Sequence, residues 1–297
     1  MTDNDPRHNE TIRLLHERAS CRSFENKKIP DDIMRAVLEA GVHAPTGGNL
    51  QPYSIIKIEN EAIREKLAAL CGDQKWIAEA PVNLLFCIDG RRLERWARLE
   101  DAPYTGNHSF RQFWISFQDV IIAAQNICTA ADAVGLGSVY IGTVLECFRD
   151  LRPIFELPDG VFPVVLLCLG YPKLRPGPRP KLGVETVVHD EKYRDLDDRS
   201  LKKAFDRKYS SRTFEPTTER LEKARSVCTR AHGPEFAARC AARIERDRCL
   251  NMAQMYFALH YCADEMPEGN EDFLAITEEF GFGWFKKFEP FKPDPSD

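Results

Sequence analysis

The sequence predicts a mixed α/β (α+β) fold, because short apolar runs with strand character are interleaved with longer segments of helical periodicity. Two runs, at residues 82–88 and 161–169, are apolar at nearly every position, which predicts strands buried on both faces. The segment 110–134 carries the longest helical pattern and is apolar around much of its circumference. Such a helix belongs either in the core of a monomer or both in the core and against a second copy of the chain.

The first third of the chain is predicted to alternate helix and strand. Asp31 and Asp32 complement the dipole at the start of one helix, and Asn60 is placed to cap another. The polar, irregular segment 93–107 is predicted to be a mobile loop. The predicted elements here are a helix at 29–42, a strand at 54–58 and a helix from Asn60 to Gly72.

After the long helix, strands and helices are again predicted to alternate, and the composition of the chain then changes. A Gly- and Pro-rich connection at 170–180 is expected to be extended. Beyond about residue 196 the chain becomes charged and helical, which predicts a polar tail at 1–9, a main domain at 10–209 and a helical C-terminal extension at 210–297. The remaining predicted elements are a strand at 138–141, a helix at 144–155, a charged helix at 196–209, a loop at 210–218 and helix over 219–266.

Composition narrows the class of protein. The chain has 297 residues and a net charge of −5, which makes a nucleic-acid partner unexpected. The opening residues are polar and acidic, unlike a secretory signal, and no apolar run reaches the roughly 18 residues of a membrane span. The ten cysteines show no CxxC spacing and the seven histidines no metal-ligand spacing. We therefore expect reduced thiols, no metal, no membrane partner and a cytoplasmic location.

The stretch 18–24 is the first candidate binding motif. Arg18, Ser20 and Arg22 alternate, so an extended backbone would send their side chains to one face. Two guanidinium groups and a hydroxyl suit a terminal phosphate, since arginine matches phosphate oxygens bidentately. The same run also fits a solvated basic turn.

A second candidate motif follows some twenty-five residues later. Gly47 and Gly48 allow close approach of the backbone to a ligand. Asn49 and Gln51 each carry a donor and an acceptor and share one face of an extended segment. Such a pair of amides can read the edge of a flat heterocycle.

The two motifs together resemble the nitroreductase superfamily of FMN-dependent flavoproteins. The resemblance rests on Arg-x-Ser-x-Arg-x-Phe at 18–24, Asn-x-Gln-Pro-aromatic at 49–53, Gly-Tyr-Pro at 170–172 and the segment 180–193. That last segment is typical of the branch with oxygen-insensitive NADPH nitroreductases and NADPH:flavin oxidoreductases. The resemblance covers roughly residues 10–195. It implies a nitroreductase-like fold, with a central, mostly antiparallel sheet flanked by helices and FMN at a homodimer interface.

The resemblance also implies which residues would hold the FMN phosphate. The segment departs from the family pattern at Ala19, where a second Arg or a His is usual, and at Lys181, where an Arg is usual. An isolated surface cation is the alternative interpretation for the two residues near 180. The implied phosphate set is Arg18, Ala19, Ser20, Cys21, Arg22, Arg179 and Lys181.

Further residues are assigned to the flavin ring and the substrate side by the same resemblance. The backbone of Gly142 is expected near flavin N5, and no side chain is assigned as a catalytic acid or base. Trp76 is expected on the substrate side or as a surface cap of a strand, and Arg207 and Arg212 near the 2′-phosphate of NADPH. The implied ring and ribityl contacts are Thr46, Asn49, Gln51, Gln74, Tyr140, Ile141, Gly142 and Thr143.

The function implied by the resemblance is ping-pong hydride transfer. NADPH, or NADH as the second choice of donor, would reduce FMN, and a nitroaromatic, quinone or flavin acceptor would then be reduced. Two alternatives stay open: other flavin chemistry on the same fold, such as enone reduction, dehalogenation or flavin fragmentation, and a flavin-binding protein without turnover.

Overall fold

The computed structural model describes residues 9–289, and they form two compact units. The first unit contains the described residues of Met1–Pro178 and of Glu271–Asp297, and the second is Arg179–Asn270. The second unit is therefore inserted, in chain order, between two parts of the first. The division into a domain at 10–209 and an extension at 210–297 stays a prediction.

The elements are numbered in chain order. The helices are α1 Glu10–Glu17, α2 Asp31–Val42, α3 Glu61–Leu70, α4 Lys75–Glu79, α5 Gly90–Leu99, α6 Phe110–Ala133, α7 Phe148–Ile154, α8 Val184–Val187, α9 Asp198–Tyr209, α10 Thr218–His232, α11 Pro234–Asp247, α12 Met252–Gln254 and α13 Asn270–Glu279. The strands are β1 Tyr53–Ile58, β2 Val82–Asp89, β3 Gly137–Ile141, β4 Val161–Gly170, β5 Thr213–Phe214 and β6 Leu250–Asn251.

The first unit is built on a four-stranded sheet in the order β1-β2-β4-β3, with every neighbouring pair antiparallel. This confirms the predicted antiparallel sheet. All residues of β2 and β4 are buried, as their apolar composition predicts. Pro163 lies in central β4, where a missing N–H would break the ladder, and the register shifts there between Phe86 and Cys87. A bulge of this kind tolerates proline inside a sheet.

Helix α6 is the central helix of the first unit and confirms the predicted segment almost to the residue. It begins where the side chain of Ser109 accepts a hydrogen bond from the amide of Gln112, at 3.2 Å. Its buried face packs against α2 and the sheet strands. Two carboxylates, Asp119 and Asp132, lie buried on this largely apolar helix. Both belong to the candidate site described below.

An aromatic cluster around Phe162 closes the first unit. Phe162 on β4 contacts aromatic rings from the segment at 273–282 at centroid distances of 5.2–6.2 Å. Phe280 and Phe282 are almost fully buried in the same core as the sheet. The chain after the second unit therefore completes the core of the first.

Two predicted elements of the first unit were wrong. The predicted loop at 93–107 is helix α5 over its first half, because Asp89 caps the helix by accepting from the Arg92 amide at 2.9 Å and Leu93 is buried. The predicted helix at 144–155 is instead a 3₁₀ turn, Thr143–Glu146, followed by the short helix α7. The break falls at Cys147, whose φ of −136° is not helical.

The second unit is mainly helical. The predicted helix at 219–266 is interrupted at Gly233, where φ is +85°, so that α10 and α11 form a hairpin of two helices. A two-stranded pairing of β5 with β6 lies in the segments predicted to be a loop and a helix. Among residues 9–289, no helix is both long enough and apolar enough to cross a membrane.

Candidate functional site

The segment 18–22 lies against strand β3. The amide of Cys21 donates to the carbonyl oxygen of Ser138 at 2.8 Å, and this contact fixes the position of the segment. Gly137 makes the approach possible, because a Cβ there would lie 2.7 Å from Cβ of Cys21. The glycine therefore brings the candidate phosphate residues onto the sheet edge.

Arg18 shares a buried carboxylate with a second arginine. Its Nε lies 3.7 Å from a carboxylate oxygen of Asp132 and donates to Sγ of Cys128 at 3.1 Å. Arg175 donates to the other oxygen of Asp132 at 3.0 Å. Burial raises the pKa of Asp132, and the two arginines act against that rise. Because two guanidinium groups share one carboxylate, the cluster carries an excess of positive charge.

Two polar atoms of this cluster have no hydrogen-bond partner among the described residues. They are Nη2 of Arg18 and Oδ2 of Asp132, both buried, and the latter is the oxygen that lies 3.7 Å from Nε of Arg18. A buried guanidinium nitrogen without an acceptor is costly, so an anionic ligand at this point would stabilise Arg18.

Arg22 lies beside Trp76, with the guanidinium carbon 5.6 Å from the ring centroid. Arg22 is exposed, whereas Ala19 and Ser20 are half-buried. Nε1 of Trp76 is buried without a partner among the described residues. The predicted convergence of Arg18 and Arg22 on one phosphate stays a prediction, since the two guanidinium groups have different neighbours here.

Gln74 joins the α3–α4 loop to the end of β3. Its Nε2 donates to the carbonyl oxygen of Cys71 and to the hydroxyl of Thr143, each at 2.7 Å. Gly142, the residue before Thr143, is exposed, and no atom lies within 4 Å of the position where its Cβ would stand. Open space above this backbone allows a flat ring to approach the main chain.

Tyr140 and Ile141 complete the predicted segment on β3. Ile141 is buried and Tyr140 half-buried. Burial is the main cause that raises the pKa of the Tyr140 phenol, and the nearby Cys128 adds to the rise. The hydroxyl therefore stays protonated at neutral pH and remains a hydrogen-bond donor.

The loop 46–51 is held by Asp119 of α6, which is not the carboxylate that pairs with Arg18. Both carboxylate oxygens of Asp119 accept from the Gly47 amide, at 3.1 and 3.2 Å. The hydroxyl of Thr46 accepts from the Gln51 amide at 3.2 Å. Asn49 and Gln51 have φ values of +57° and +50°, so the segment is a tight turn and not the extended segment that the sequence predicted.

Among residues 9–289, no hydrogen bond or ion pair joins the two candidate motifs. The loop 46–51 is tied to Asp119, whereas Arg18 is tied to Cys128 and Asp132. With a rise of 1.5 Å per residue, Asp119 and Asp132 lie about 20 Å apart along α6. The structure thus ties the segment 18–22 to the C-terminal part of α6 and the loop 46–51 to the middle of this helix.

Of the predicted residues in the second unit, Arg207 lies on helix α9, and Arg179, Lys181 and Arg212 lie in irregular segments. Arg179 and Lys181 are exposed. Arg207 forms an ion pair with Glu185, and this hydrogen bond holds the pKa of the Glu185 carboxyl below its usual value. The guanidinium carbon of Arg212 lies 5.1 Å from the ring centroid of Phe214.

Arg212 also lines a cavity within the second unit. The cavity has a volume of about 720 Å³. Aromatic rings from α9 and the segment after α12 form much of its wall, and those of Tyr209 and Tyr256 are 5.8 Å apart. The combination of aromatic rings with a guanidinium group suits a flat, anionic ligand.

Sequence reasoning missed three residues of the site. Asp119, Asp132 and Arg175 do not belong to any motif, and the two carboxylates lie within an apolar helical pattern. The sequence did offer one signal. A carboxylate on the apolar face of a helix is expected to be buried, and a buried carboxylate needs hydrogen-bond or cationic partners.

The residues present fit FMN. The surplus cation at Arg18 and Arg175, with Nη2 of Arg18 unpartnered, suits the phosphate of FMN. The open backbone at Gly142 and the half-buried Trp76 suit the ring. No group of three or more His, Cys, Asp or Glu residues with metal-binding geometry occurs in the described part of the chain.

The fold and the motif geometry agree with a comparison against known families. Residues 15–171 match the model of the nitroreductase family, which is more than half of the chain. The chain therefore belongs to the nitroreductase family.

Curated relatives and solved structures extend this result. The oxygen-insensitive NADPH nitroreductase of Salmonella typhimurium (strain LT2) is 35% identical over 191 residues, covering 64% of this chain and 78% of the relative. The FMN reductase (NAD(P)H) of Bacillus subtilis (strain 168) is 32% identical, covering 64% and 77%. The structure of the NADPH:FMN oxidoreductase from Vibrio harveyi complexed with NAD+ superposes with a TM-score of 0.70 at 23% identity, covering 93% and 99% of the two chains. That last similarity shows a shared fold across almost the entire chain.

Proposed function

We propose that the protein is an FMN-dependent NAD(P)H oxidoreductase of the nitroreductase type that reduces small-molecule acceptors such as nitroaromatics, quinones or free flavin. The observation that carries this proposal is the cation surplus around Asp132 on a nitroreductase fold. Bound FMN supplies the hydride-transfer chemistry, and the chain binds and orients it.

The residues divide this work between the two ends of the cofactor. Arg18, Ser20 and Arg22 bind the phosphate, with Arg179 and Lys181 assigned to the same group by the family resemblance. Gln74 and Thr143 fix each other through their 2.7 Å hydrogen bond and so preorganise the backbone at Gly142 for the ring. Trp76 covers one side of the acceptor position.

We further propose a homodimer. Four apolar side chains of α6 recur at helical spacing and stay exposed in one protomer, at 36–52% of their surface; they are Phe110, Trp114, Phe117 and Ile121. A stripe of this kind marks a protein interface.

The cavity of the second unit supports NADPH as the preferred donor. Arg212 is available there to a phosphate group, whereas Arg207 is occupied by Glu185. Tyr209 and Tyr256 offer faces for a purine ring. Since NADH lacks the 2′-phosphate, it is expected to be the poorer donor.

A cytoplasmic location is part of the proposal. All ten cysteines are free thiols, several of them fully buried, as is usual in a reducing compartment. Fractionation of cells that produce the protein tests this placement, and recovery in an oxidising compartment would contradict it.

The experiment that tests the function is an anaerobic visible spectrum of the purified, FMN-reconstituted protein. NADPH is expected to bleach the flavin bands, and a nitrofuran or quinone is expected to restore them. NADH in parallel measures the donor preference. A protein that fails to bind FMN would refute the proposal, and bound flavin that neither nucleotide bleaches would leave a flavin-binding protein without this turnover.

A pair of variants tests the phosphate assignment. Arg22→Ala and Lys181→Ala are each expected to weaken FMN binding about tenfold, because each removes a charge-assisted hydrogen bond. Arg13→Ala is the control, since Arg13 is exposed and pairs with Glu17 one helical turn away. Quenching of FMN fluorescence measures the affinity, and unchanged affinity in the two test variants would contradict the assignment.

A further inference from the structure

The first unit contains a polar cavity that the proposed function does not use. Its volume is about 350 Å³. It lies where β2 ends and β4 begins, between α5, the segment 104–108 and the turn at Asp159 and Gly160. The charged and hydrogen-bonding side chains that line it are Arg91, Glu94, Arg95, Arg98, Tyr104, Thr105, Asn107, His108 and Asp159.

The cavity is separate from the predicted ring contact at Gly142. Asp89, just before α5, pairs with Val161, while Ile141, just before Gly142, pairs with Leu166. Five residues of strand separate these two levels of β4, which corresponds to about 17 Å. A ligand in this cavity would therefore not occupy the space above Gly142.

Three arginines make the lining of the cavity positively charged. Arg91, Arg95 and Arg98 follow one another at helical spacing on α5, and none forms an ion pair with a carboxylate among residues 9–289. Of the two acidic side chains in the lining, Asp159 pairs with Arg152, whereas Glu94 accepts only from the neutral amide of Asn107 at 3.3 Å, so one uncompensated carboxylate stands against three guanidinium groups. The guanidinium groups are thus left with an excess of positive charge.

An anion in the cavity would relieve the repulsion among the three guanidinium groups, which Glu94 on the same helix offsets only in part. Like charges three or four residues apart on a helix repel one another. The three Cα atoms span about 10 Å along the axis, which is wide for one phosphate and suited to a chain of two or three. Burial raises the pKa of Tyr104, with Glu94 and Asp89 contributing, so its hydroxyl remains a donor at neutral pH.

We propose that this cavity binds an oligophosphate group, either free or as part of a nucleotide, at Arg91, Arg95 and Arg98. Arginine is the side chain best matched to phosphate oxygens, and hydroxyl and amide donors from the segment 104–108 complete the lining. The site does not depend on the FMN assignment, because none of its residues belongs to the predicted flavin set.

The test is calorimetric titration of the FMN-saturated full-length protein with inorganic pyrophosphate. Saturation with FMN fills the flavin phosphate site, and an unchanged flavin spectrum shows that pyrophosphate does not displace it. We expect one pyrophosphate per chain. Arg95→Gln and Arg98→Gln are each expected to weaken its binding by about tenfold or more.

Arg35→Gln is the matched control. It removes the same charge from an exposed helix surface, and Arg35 pairs with Glu39 outside the cavity. Binding that falls in the two cavity variants and not in this control supports the proposal. Absent binding, or binding that all three variants change equally, overturns it.

A second titration, with ATP and in the Arg212→Ala background, distinguishes the two sources of the group, because ATP would otherwise also bind in the cavity of the second unit. Tighter binding of ATP than of pyrophosphate, lost again in Arg95→Gln, assigns the site to a nucleotide. Equal affinities assign it to the phosphate chain alone. ATP binding that persists in Arg95→Gln and Arg98→Gln overturns the proposal.

Discussion

Asp132 is the residue on which the candidate phosphate site depends most. It is nearly fully buried, accepts from Arg175 at 3.0 Å and lies 3.7 Å from Arg18. Burial raises its pKa above the usual value, so the folded protein holds the proton more tightly than the unfolded chain does. Its contribution to stability is therefore complete at pH values below the unfolded pKa and is lost as the pH rises through the raised folded pKa.

Replacing Asp132 by Asn removes this titration. The free energy of unfolding of the wild type, minus that of Asp132→Asn, is expected to fall as the pH rises from acidic values toward neutrality, because only the wild type ionises there. Urea unfolding at a series of pH values measures the difference. Asp73→Asn, at an exposed residue, serves as control and is expected to follow the wild type. A difference that does not vary with pH would contradict the prediction.

Gly137 is the second residue with a specific role. In Gly137→Ala the new methyl group would lie 2.7 Å from Cβ of Cys21, so either β3 or the segment 18–22 has to move. Overpacking of this kind is expected to cost about 1–3 kcal/mol of stability and to weaken FMN binding. Gly177→Ala is the control, because no atom lies within 4 Å of its Cβ position. Denaturant unfolding and FMN fluorescence measure the two effects, and equal stabilities for the two variants would count against the role.

At the residue scale, motif spacing predicted Arg18, Ser20 and Arg22 as candidate phosphate residues but gave no sign of the partners of Arg18. Asp132 and Arg175 lie far from these residues in sequence and meet Arg18 only through the packing of α6 and the chain after β4. No local pattern encodes a pairing of that kind. The positive φ at Asn49 and Gln51 was equally hidden, since the neighbouring strand suggested an extended backbone.

At the scale of elements, helix α6 combines a buried face with an exposed apolar stripe. Trp114 lies in the stripe, with 52% of its surface exposed. Trp114→Glu is expected to convert the dimer to a monomer and to weaken FMN binding by about tenfold or more, because a charge in an apolar interface is not compensated. Light scattering coupled to size-exclusion chromatography measures the assembly state.

Trp96→Glu is the matched control for that prediction. Trp96 lies on α5, has 57% of its surface exposed and is outside the stripe. It is expected to leave the assembly state unchanged. A dimer that survives Trp114→Glu, or a wild-type protein that is monomeric with bound flavin, would refute the proposed interface.

Strong periodicity explains which elements the sequence predicted well. The apolar runs of β2 and β4 and the long pattern of α6 were found because burial determines their composition. Helix α5 was missed because its residues are mostly charged, and its buried residues are just Gly90 and Leu93. The capping residue Asp89 was the available signal for this helix, but the many charged residues that follow it made the segment resemble a loop.

At the scale of the whole molecule, the second unit is expected to determine donor preference. Arg212→Ala is expected to raise KM for NADPH about tenfold and to leave KM for NADH nearly unchanged, because only NADPH carries the 2′-phosphate. Steady-state kinetics with each donor measure the ratio. Arg207→Ala is the comparison, since Arg207 pairs with Glu185, and it is expected to have the smaller effect. Equal losses with both donors would contradict the assignment.

The molecule's division into two units could not be predicted from local patterns. The change in composition near residue 196 marks the start of a region that is mainly helical in the structure. The return of residues 271–289 to the core of the first unit depends on contacts of Phe280 and Phe282 with Phe162, which sequence periodicity does not reveal.

That return has a consequence for biosynthesis. A ribosome completes Arg179–Asn270 before it reaches Phe280 and Phe282, so the second unit can fold while the first still lacks part of its core. Until then, the aromatic face around Phe162 is open to chaperones or to aggregation. A nonsense mutation soon after residue 270 would therefore yield an insoluble product rather than a shortened enzyme.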